Sequence, residues 1–309
     1  ILARGTGGAE VTIATPTLDF AGQEGIVTVA DSRNSYAYGQ ITLNIDSVIQ
    51  NGSLTKAGYG NLRLNGDSTF TGPLVVNSGQ NGNRNYDAVY LNGTLATENV
   101  QVNGGWAVLE ANDRLPATAT VTIGGRGALD LNGYDQTLSD VDDGPGGGGS
   151  VRGNGATANT LTLNPAAGDA DAFSGAFDDL EVVKTGPDVF TFGGSYSGTH
   201  LTLDEGVFRQ TSGAHASRYN FTGGVLERAS GFRDRTYNSN VFFGAGGGGW
   251  GAQGGTVTVW ISGATYQEWG VRPGFVLDGD PLMFNSTGSD SLVRYDSSID
   301  LGSTTGTPQ

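Results

Sequence analysis

The acidic residues whose spacing suits catalysis are three pairs of aspartates, Asp140/Asp142, Asp169/Asp171 and Asp278/Asp280. Glycoside hydrolysis requires two carboxyl groups about 5–10 Å apart, one of them with a raised pKa. Residues i and i+2 of a strand share one face at roughly 7 Å. All three pairs lie among Gly, Ala and Pro residues, without a neighbouring aromatic platform and base. Solvated turn carboxylates are therefore the favoured interpretation, and a hydrolase is the alternative.

A polysaccharide lyase is the second catalytic alternative, since such an enzyme would place an Arg or Lys base beside a Ca²⁺ cluster. Arg233 and Arg235 flank Asp234, but no acidic cluster is near them in sequence, so only stacking of distant segments would supply one. The sequence contains no GxSxG motif, the turn that would present a serine nucleophile. His200 and His215 are the only two histidines, and we expect His200 to have a packing or surface role. The sequence therefore predicts a protein that is not an enzyme.

The best candidates for metal ligands are Asp140, Asp142 and Asp143, because Ca²⁺ takes clustered carboxylate and carbonyl oxygens. Their spacing matches neither the EF-hand loop nor the GGxGxD nonapeptide. Zn²⁺ is disfavoured in a chain with two His and no Cys. We predict that no cofactor is required, with Ca²⁺ as the alternative.

The candidates for ligand binding are aromatic: Trp260, Tyr266 and Trp269 could form a surface on which sugar rings stack. Three of the four tryptophans, Trp250 among them, lie in the C-terminal third, and Trp106 lies apart. Core packing is the alternative for each of these rings, and it is the favoured one. If the rings are exposed, surface glycans would be the partner.

The elements that must position these residues are short strands. Gly supplies 53 of 309 residues, Pro only 9, and helical periodicity is nearly absent. Apolar and polar residues alternate in many segments that are bounded by Gly, Asn, Asp or Ser, such as QITLNI, NLRLNG, ATVTIGG, VFTFGG and HLTLDE. The net charge of −15 argues against nucleic acid and anionic membranes as partners. No apolar run reaches the length of a membrane span.

One strand–turn–strand unit occurs twice, as LTKAGYGNLRLNGDSTFTGPLVVNSG at 54–79 and VVKTGPDVFTFGGSYSGTHLTLDEG at 182–206. Recurrence of such a unit is typical of a stacked solenoid. The corresponding residues, for which we predict structural roles, are Lys56, Gly58, Leu62, Leu64, Gly66, Phe70 and Gly72 in the first repeat, and Lys184, Gly186, Phe190, Phe192, Gly194, Tyr196 and Gly198 in the second.

This order of residues resembles the autotransporter-associated β-strand repeat of bacterial passenger regions. The segment 104–143, with its LDLNGYDQT sequence, is similar to what usually follows that repeat, and 221–302 resembles the long inter-repeat coils of giant surface proteins of planctomycete-like bacteria. The resemblance covers most of residues 50–302. It implies an extracellular or cell-surface location.

We therefore predict an all-β fold, a right-handed parallel β-helix (β-solenoid) forming a single elongated domain over 1–309. Its parts would be leading coils at 1–50, the first repeat with following coils at 51–181, and the second at 182–309. The predicted function is structural and non-catalytic: a fibre, stalk or filament segment that assembles end to end. The alternatives are an adhesin that binds glycans or surfaces and a β-helix polysaccharide lyase or hydrolase.

The two ends of the chain resemble each other, since SSIDLGSTTGTPQ at 297–309 is similar to the start of TPTLDFAGQEGIVTVADS at 15–32. The chain would then hold about one supra-repeat. We expect either a segment of a longer array or a subunit whose ends meet head to tail, so that the predicted partner is a further copy of the chain. No signal peptide is recognised, and no segment of this chain is expected to span a membrane.

Overall fold

A computed structural model describes residues 1–5, 8–31, 41–78, 87–154, 159–168, 172–212, 216–236, 239–262, 267–271 and 274–301. Every regular element among them is a β-strand, and the strands stack in parallel as successive coils of a β-solenoid. The predicted all-β parallel solenoid is thereby confirmed. Within these ranges no helix is long and apolar enough to cross a membrane.

The chain divides into two compact units, Ile1–Leu161 with Phe173–Leu180, and Thr162–Ala172 with Glu181–Gln309. The strands of the first unit are β1 Leu2–Gly5, β2 Glu10–Ile13, β3 Thr17–Asp19, β4 Glu24–Asp31, β5 Thr42–Ile45, β6 Val48–Gln50, β7 Ser53–Ala57, β8 Asn61–Leu64, β9 Leu74–Asn77, β10 Ala88–Leu91, β11 Asn99–Leu109, β12 Thr120–Asp130, β13 Gln136–Leu138, β14 Asp140–Asp143 and β15 Ser150–Arg152. Three more strands lie where the chain passes between the units, β16 Thr160–Leu163, β17 Ala172–Phe173 and β18 Ala176–Asp178.

The strands of the second unit are β19 Glu181–Lys184, β20 Val189–Phe192, β21 Ser195–Tyr196, β22 His200–Leu203, β23 Val207–Gln210, β24 Arg218–Phe221, β25 Val225–Arg228, β26 Phe232–Thr236, β27 Val241–Phe243, β28 Gly248–Ala252, β29 Val257–Ser262, β30 Gln267–Glu268, β31 Leu282–Phe284, β32 Val293–Tyr295 and β33 Ile299–Asp300. The prediction of one domain with parts at 1–50, 51–181 and 182–309 remains a prediction.

In the first unit, the strands pair in parallel along two columns. One column is β1, β4, β7, β9, β11, β12 and β14, and the other is β2, β5, β8, β10, β11, β12 and β15. The long strands β11 and β12 belong to both columns, because the chain turns a corner within each of them at a bulge. A third, shorter column is β3 and β6.

The interior of the first unit is built from residues in register on successive coils. Leu43, Leu62, Val89, Ala107 and Leu129 lie next to each other on five strands, and all are buried. Such strands form because alternate residues are apolar and point inward, while their neighbours remain at the surface. Each coil buries its apolar face against the next, so the core continues along the stack.

In the second unit, the main columns are β19, β22, β24 and β27, then β20, β23, β25, β28 and β31. Two shorter columns are β26, β29 and β32, and β30 with β33. The interior here is largely aromatic. Phe190, Phe208, Leu226 and Trp250 lie in register on four strands, and all are buried.

The repeated sequence unit corresponds to one complete coil. In the first repeat Leu54 of β7 pairs with Leu74 of β9, and in the second Val182 of β19 pairs with Leu201 of β22. The unit therefore begins on one strand and ends when the chain returns to the same side one coil later. Its apolar motif residues lie in the interior: Leu62, Leu64, Phe70, Phe190, Phe192 and Tyr196 are all buried.

Short side chains complete the turns between strands. Asn65 donates to Asp46 on the preceding coil (2.6 Å), and Asn92 donates to Asn65 (3.2 Å), which makes a small ladder of turn side chains. Gly66 is required by close approach, because a Cβ atom there would strike the carbonyl oxygen of Ser47. These bonds satisfy polar groups that the turns leave outside the sheets.

Candidate functional site

The Lys-x-Gly motif forms the same buried turn in both repeats. Lys56 and Lys184 are fully buried, and Nζ of each donates to the carbonyl oxygen of the glycine two residues later, Gly58 or Gly186, at 2.7 Å. Both glycines have positive φ, 81° and 72°, a conformation that side-chain-bearing residues rarely adopt. The lysine must lie inside because its ammonium satisfies the carbonyl groups of this tight turn.

Lys184 is bound by the backbone. Besides Gly186, its Nζ donates to the carbonyl oxygens of Thr185 at 2.6 Å and Glu205 at 3.3 Å. Glu205 follows the strand that stacks on β19, so the ammonium joins two successive coils. The peptide oxygens therefore solvate the buried ammonium group of Lys184, which has a structural role.

Lys56 has a different environment, although it occupies the same position. Its Nζ donates to Oγ of Ser78 at 2.5 Å, and Asp87, which is also buried, lies close enough to affect its charge. Burial lowers the pKa of Lys56 to about 7, and the Asp87 carboxylate partly opposes this because it favours the ammonium form. Burial raises the pKa of Asp87 to about 6, against the influence of Lys56. Both groups therefore titrate near neutral pH.

The predicted sugar-stacking residues fall in different environments. Trp260 points outward from β29 and is 42% exposed, as a stacking platform would be. Trp269 packs edge-on against Phe275 with ring centroids 6.1 Å apart. No ring contact joins Trp260 to Trp269 in the part of the chain that the structure describes. Tyr266 lies outside the described residues.

The predicted metal ligands Asp140, Asp142 and Asp143 lie on β14, where strand alternation puts Asp140 and Asp142 on one face and Asp143 on the other. Asp140 is buried and accepts a hydrogen bond from the backbone N–H of Val141 at 2.7 Å. Asp143 accepts from the backbone N–H and the hydroxyl of Ser174, at 2.8 and 2.5 Å. Among the described residues, no group of three or more His, Cys, Asp or Glu side chains could hold a metal ion. Ca²⁺ binding remains an untested alternative.

The structure describes some of the candidate catalytic residues and not others. His200 lies on β22, and its Nδ1 is 2.8 Å from Oε1 of Glu181 on the neighbouring coil. His215, Asp169 and Asp171 lie outside the described residues, and the side chains of Arg233 and Asp234 are not described either. The pair of Glu181 and His200 is half-buried, on the outer face of its sheet, and ties two coils together.

An aromatic cluster on the outer face of the first unit was not predicted. Trp106 and Val108 of β11 pack there with Tyr90, Ala88 and Ala128. Trp106 is only 5% exposed. The sequence signal was present, because residues 106–109 read WAVL, apolar at every position instead of every second one, which indicates a strand buried on both faces.

Two arginines cover this outer cluster, and each is paired with a carboxylate. The Arg63 guanidinium lies 5.1 Å from the centre of the Tyr90 ring and forms an ion pair with Glu110 at 2.8 Å. Arg152 lies 5.4 Å from the Trp106 ring centre, and its ion pair with Asp178 spans 3.4 Å. Burial raises the pKa of Glu110, and Arg63 opposes that rise. The charged residues thus shield aromatic rings that would otherwise contact water.

The described residues therefore combine stacked coils, buried lysine turns and one exposed tryptophan. The comparisons with known proteins add no relative: no protein-family model, curated protein sequence or solved structure matches this chain.

Proposed function

We propose that this chain is a structural, non-catalytic segment of an extracellular or cell-surface fibre, stalk or filament, and that its coils are extended end to end by further copies. The composition supports this, since an acidic, cysteine-free chain stays soluble and needs no disulfides outside the cell. The observation that carries the proposal is that the first and last described coils have exposed apolar residues and unpaired strand edges.

In the first described coil, apolar side chains continue the interior columns. Val11 is in register with the buried Leu43, and Leu18 is in register with the buried Ile49. Val11 is nevertheless 39% exposed, because no described coil lies on its other side. Unpaired strand edges with uncovered apolar residues favour addition of another coil.

The last described coil has the same character. Phe284 of β31 is in register with the fully buried Trp250, yet it is 46% exposed. Val293 and Tyr295 of β32 continue the columns of Val257 and Val259. Both terminal coils therefore present parallel strand edges around an apolar centre, which is the surface that end-to-end stacking would bury.

End-to-end assembly is tested with the purified chain by light scattering and electron microscopy over a range of concentrations. We expect filaments that lengthen with concentration and have an axial repeat near the length of one chain. Val11→Glu should prevent assembly, because it places a charge in the open column at one end.

The matched control is Ile26→Glu, which adds the same charge on a lateral face, since Ile26 is 51% exposed on β4 beside the buried Val27. This variant should assemble like the wild type. Wild-type chain that stays monomeric at every concentration would overturn the proposal, as would equal inhibition by the two variants.

Glycan binding is the second candidate function, and the exposure of Trp260 favours it. An exposed indole ring on a flat strand surface suits stacking against a sugar ring. Trp260→Ala should abolish retention on immobilised bacterial polysaccharide, while its denaturation midpoint stays that of the wild type. Thr258→Ala changes the neighbouring outward position of β29 and is the control. Unchanged retention by Trp260→Ala would exclude this residue as the binding platform.

A further inference from the structure

A buried acidic residue, Asp87, lies near the buried lysine of the first repeat, Lys56. In the second repeat, Gly206 directly precedes strand β23 and has a φ of 66°. In the first, the residue that precedes the corresponding strand β10 is Asp87, with a φ of 69°. Residues 79–86 are an insertion at this point relative to the second repeat. Aspartate adopts this conformation more readily than most residues, although less readily than glycine, so Asp87 can follow the same backbone path as Gly206.

Asp87 and Lys56 belong to one buried cluster with Ser78. The two charged residues are at most 1% exposed. Ser78 and Asp87 both adjoin Gly105, since a Cβ atom there would lie 2.7 Å from Cβ of Ser78 and 2.5 Å from the carbonyl oxygen of Asp87. Oδ1 of Asp87 is buried and has no hydrogen-bond partner within the described ranges. A buried carboxyl oxygen without a donor is costly, and it is available for chemistry.

Nζ of Lys56 makes two hydrogen bonds, which leave one tetrahedral position at the nitrogen unused. Nζ donates to the carbonyl oxygen of Gly58 at 2.7 Å and to Oγ of Ser78 at 2.5 Å. A neutral amine has only two N–H groups, so these bonds use both and leave the lone pair unoccupied. No ion pair within 4.0 Å joins Lys56 to Asp87 among the described residues. A rotation of their side chains would have to bring the lone pair to the carboxyl carbon.

We propose that Nζ of Lys56 and Cγ of Asp87 form an intramolecular amide bond, an isopeptide cross-link across the first repeat. The ammonium first passes a proton to the carboxylate, which gives an amine and a carboxylic acid. The amine lone pair attacks Cγ, and the N–H proton that faces Ser78 passes through Oγ to the departing hydroxyl group. One C–N bond forms, one C–O bond breaks, and one water molecule leaves; no oxidant, reductant or co-reactant is consumed.

The environment favours the reactive protonation states. Because the pKa of Lys56 is about 7 and that of Asp87 about 6, the neutral amine and the neutral acid coexist near neutral pH. Because the pKa of Lys56 stays above that of Asp87, the neutral pair is the minor form, and burial makes it more populated than it would be in water. Nζ of Lys184 donates to the backbone carbonyl oxygens of Thr185 and Gly186, and the residue that precedes the corresponding strand β23 is Gly206.

Such a bond would close a covalent loop from residue 56 to residue 87. It would join strand β7 to the start of strand β10, so tension along the chain could not pull this segment out of the stack. This inference goes beyond the proposed function, and it holds or fails whether or not the chain assembles.

The test is the intact mass of the folded full chain, held at neutral pH and then measured under denaturing conditions. We expect a mass lower than the sequence mass by that of one water molecule. After trypsin digestion, cleavage at Lys56 should be lost, and the peptide containing Lys56 should be found linked to the peptide containing Asp87. Fragmentation of that species should locate the bond between the two side chains.

Three variants complete the experiment. Lys56→Ala and Asp87→Ala should have their full sequence masses, whereas Lys184→Met should still lack one water. These controls separate the cross-link from water loss by succinimide formation at an aspartate elsewhere. A wild-type chain with its full mass and ordinary cleavage after Lys56 would overturn the proposal, as would a mass loss that persists in Lys56→Ala. The mass is read on wild-type protein first, so the result does not depend on whether a variant folds.

Discussion

Trp250→Ala is expected to lower the free energy of unfolding by about 3–5 kcal/mol, the range for removing a large aromatic side chain from a packed core. Trp250 is fully buried on β28. Its ring contacts Phe221, Phe232, Phe243 and Tyr295 at centroid distances of 5.1, 5.7, 5.7 and 6.0 Å. Alanine would leave a cavity among rings contributed by several coils, and these coils cannot close it without moving their strands.

Two matched variants make this result specific. Nε1 of Trp250 has no hydrogen-bond partner in the described part of the chain, so Trp250→Phe removes an unsatisfied donor while it keeps most of the ring contacts. We expect it to cost only about 1 kcal/mol. Trp260→Ala, at an exposed site, should stay within about 0.5 kcal/mol of the wild type. Urea denaturation gives all three values, and equal effects of Trp250→Ala and Trp260→Ala would contradict the core assignment.

These two tryptophans show what a single sequence can and cannot predict here. Alternation identified the strands, because a period of two is a local property of the backbone. It also identified which residues of NLRLNG and VFTFGG are interior. The environment of Trp250 was not predictable in the same way, because its neighbours come from coils far apart in sequence. Trp250 lies between glycines, where the alternation gives no contrast, and only the register with β25 and β31 places it inside.

The buried lysines show the same limit for polar residues. The sequence revealed that Lys56 and Lys184 recur at one position, but recurrence does not distinguish a surface residue from a buried one. Lysine is rarely buried without a partner. The partners here are backbone carbonyl oxygens, which leave no trace in the sequence apart from the glycine two residues later. Asp87 was missed because an insertion separates it from the motif, so no alignment of the two repeats pairs it with Lys56.

Lys184→Met is expected to lower the free energy of unfolding by about 2–4 kcal/mol, since buried or partly buried carbonyl groups lose a charged donor and each costs about 1–3 kcal/mol to leave unpaired. Methionine keeps most of the side-chain volume, so the loss reports on the hydrogen bonds to Thr185, Gly186 and Glu205. The gain from no longer burying an ammonium opposes this loss, which places the expected value below the sum of three bonds.

The measurement is urea denaturation followed by tryptophan fluorescence, with Val183→Met as the control because it puts the same side chain on the outer face of the same strand. That control should change the free energy of unfolding by less than about 1 kcal/mol. If Lys184→Met were as stable as the wild type, the desolvation cost of the ammonium would equal the value of its bonds. The recurrence of Lys-x-Gly would then reflect something other than turn stability. A loss in the expected range instead makes the buried ammonium the reason that lysine, and not methionine or leucine, occupies position 184.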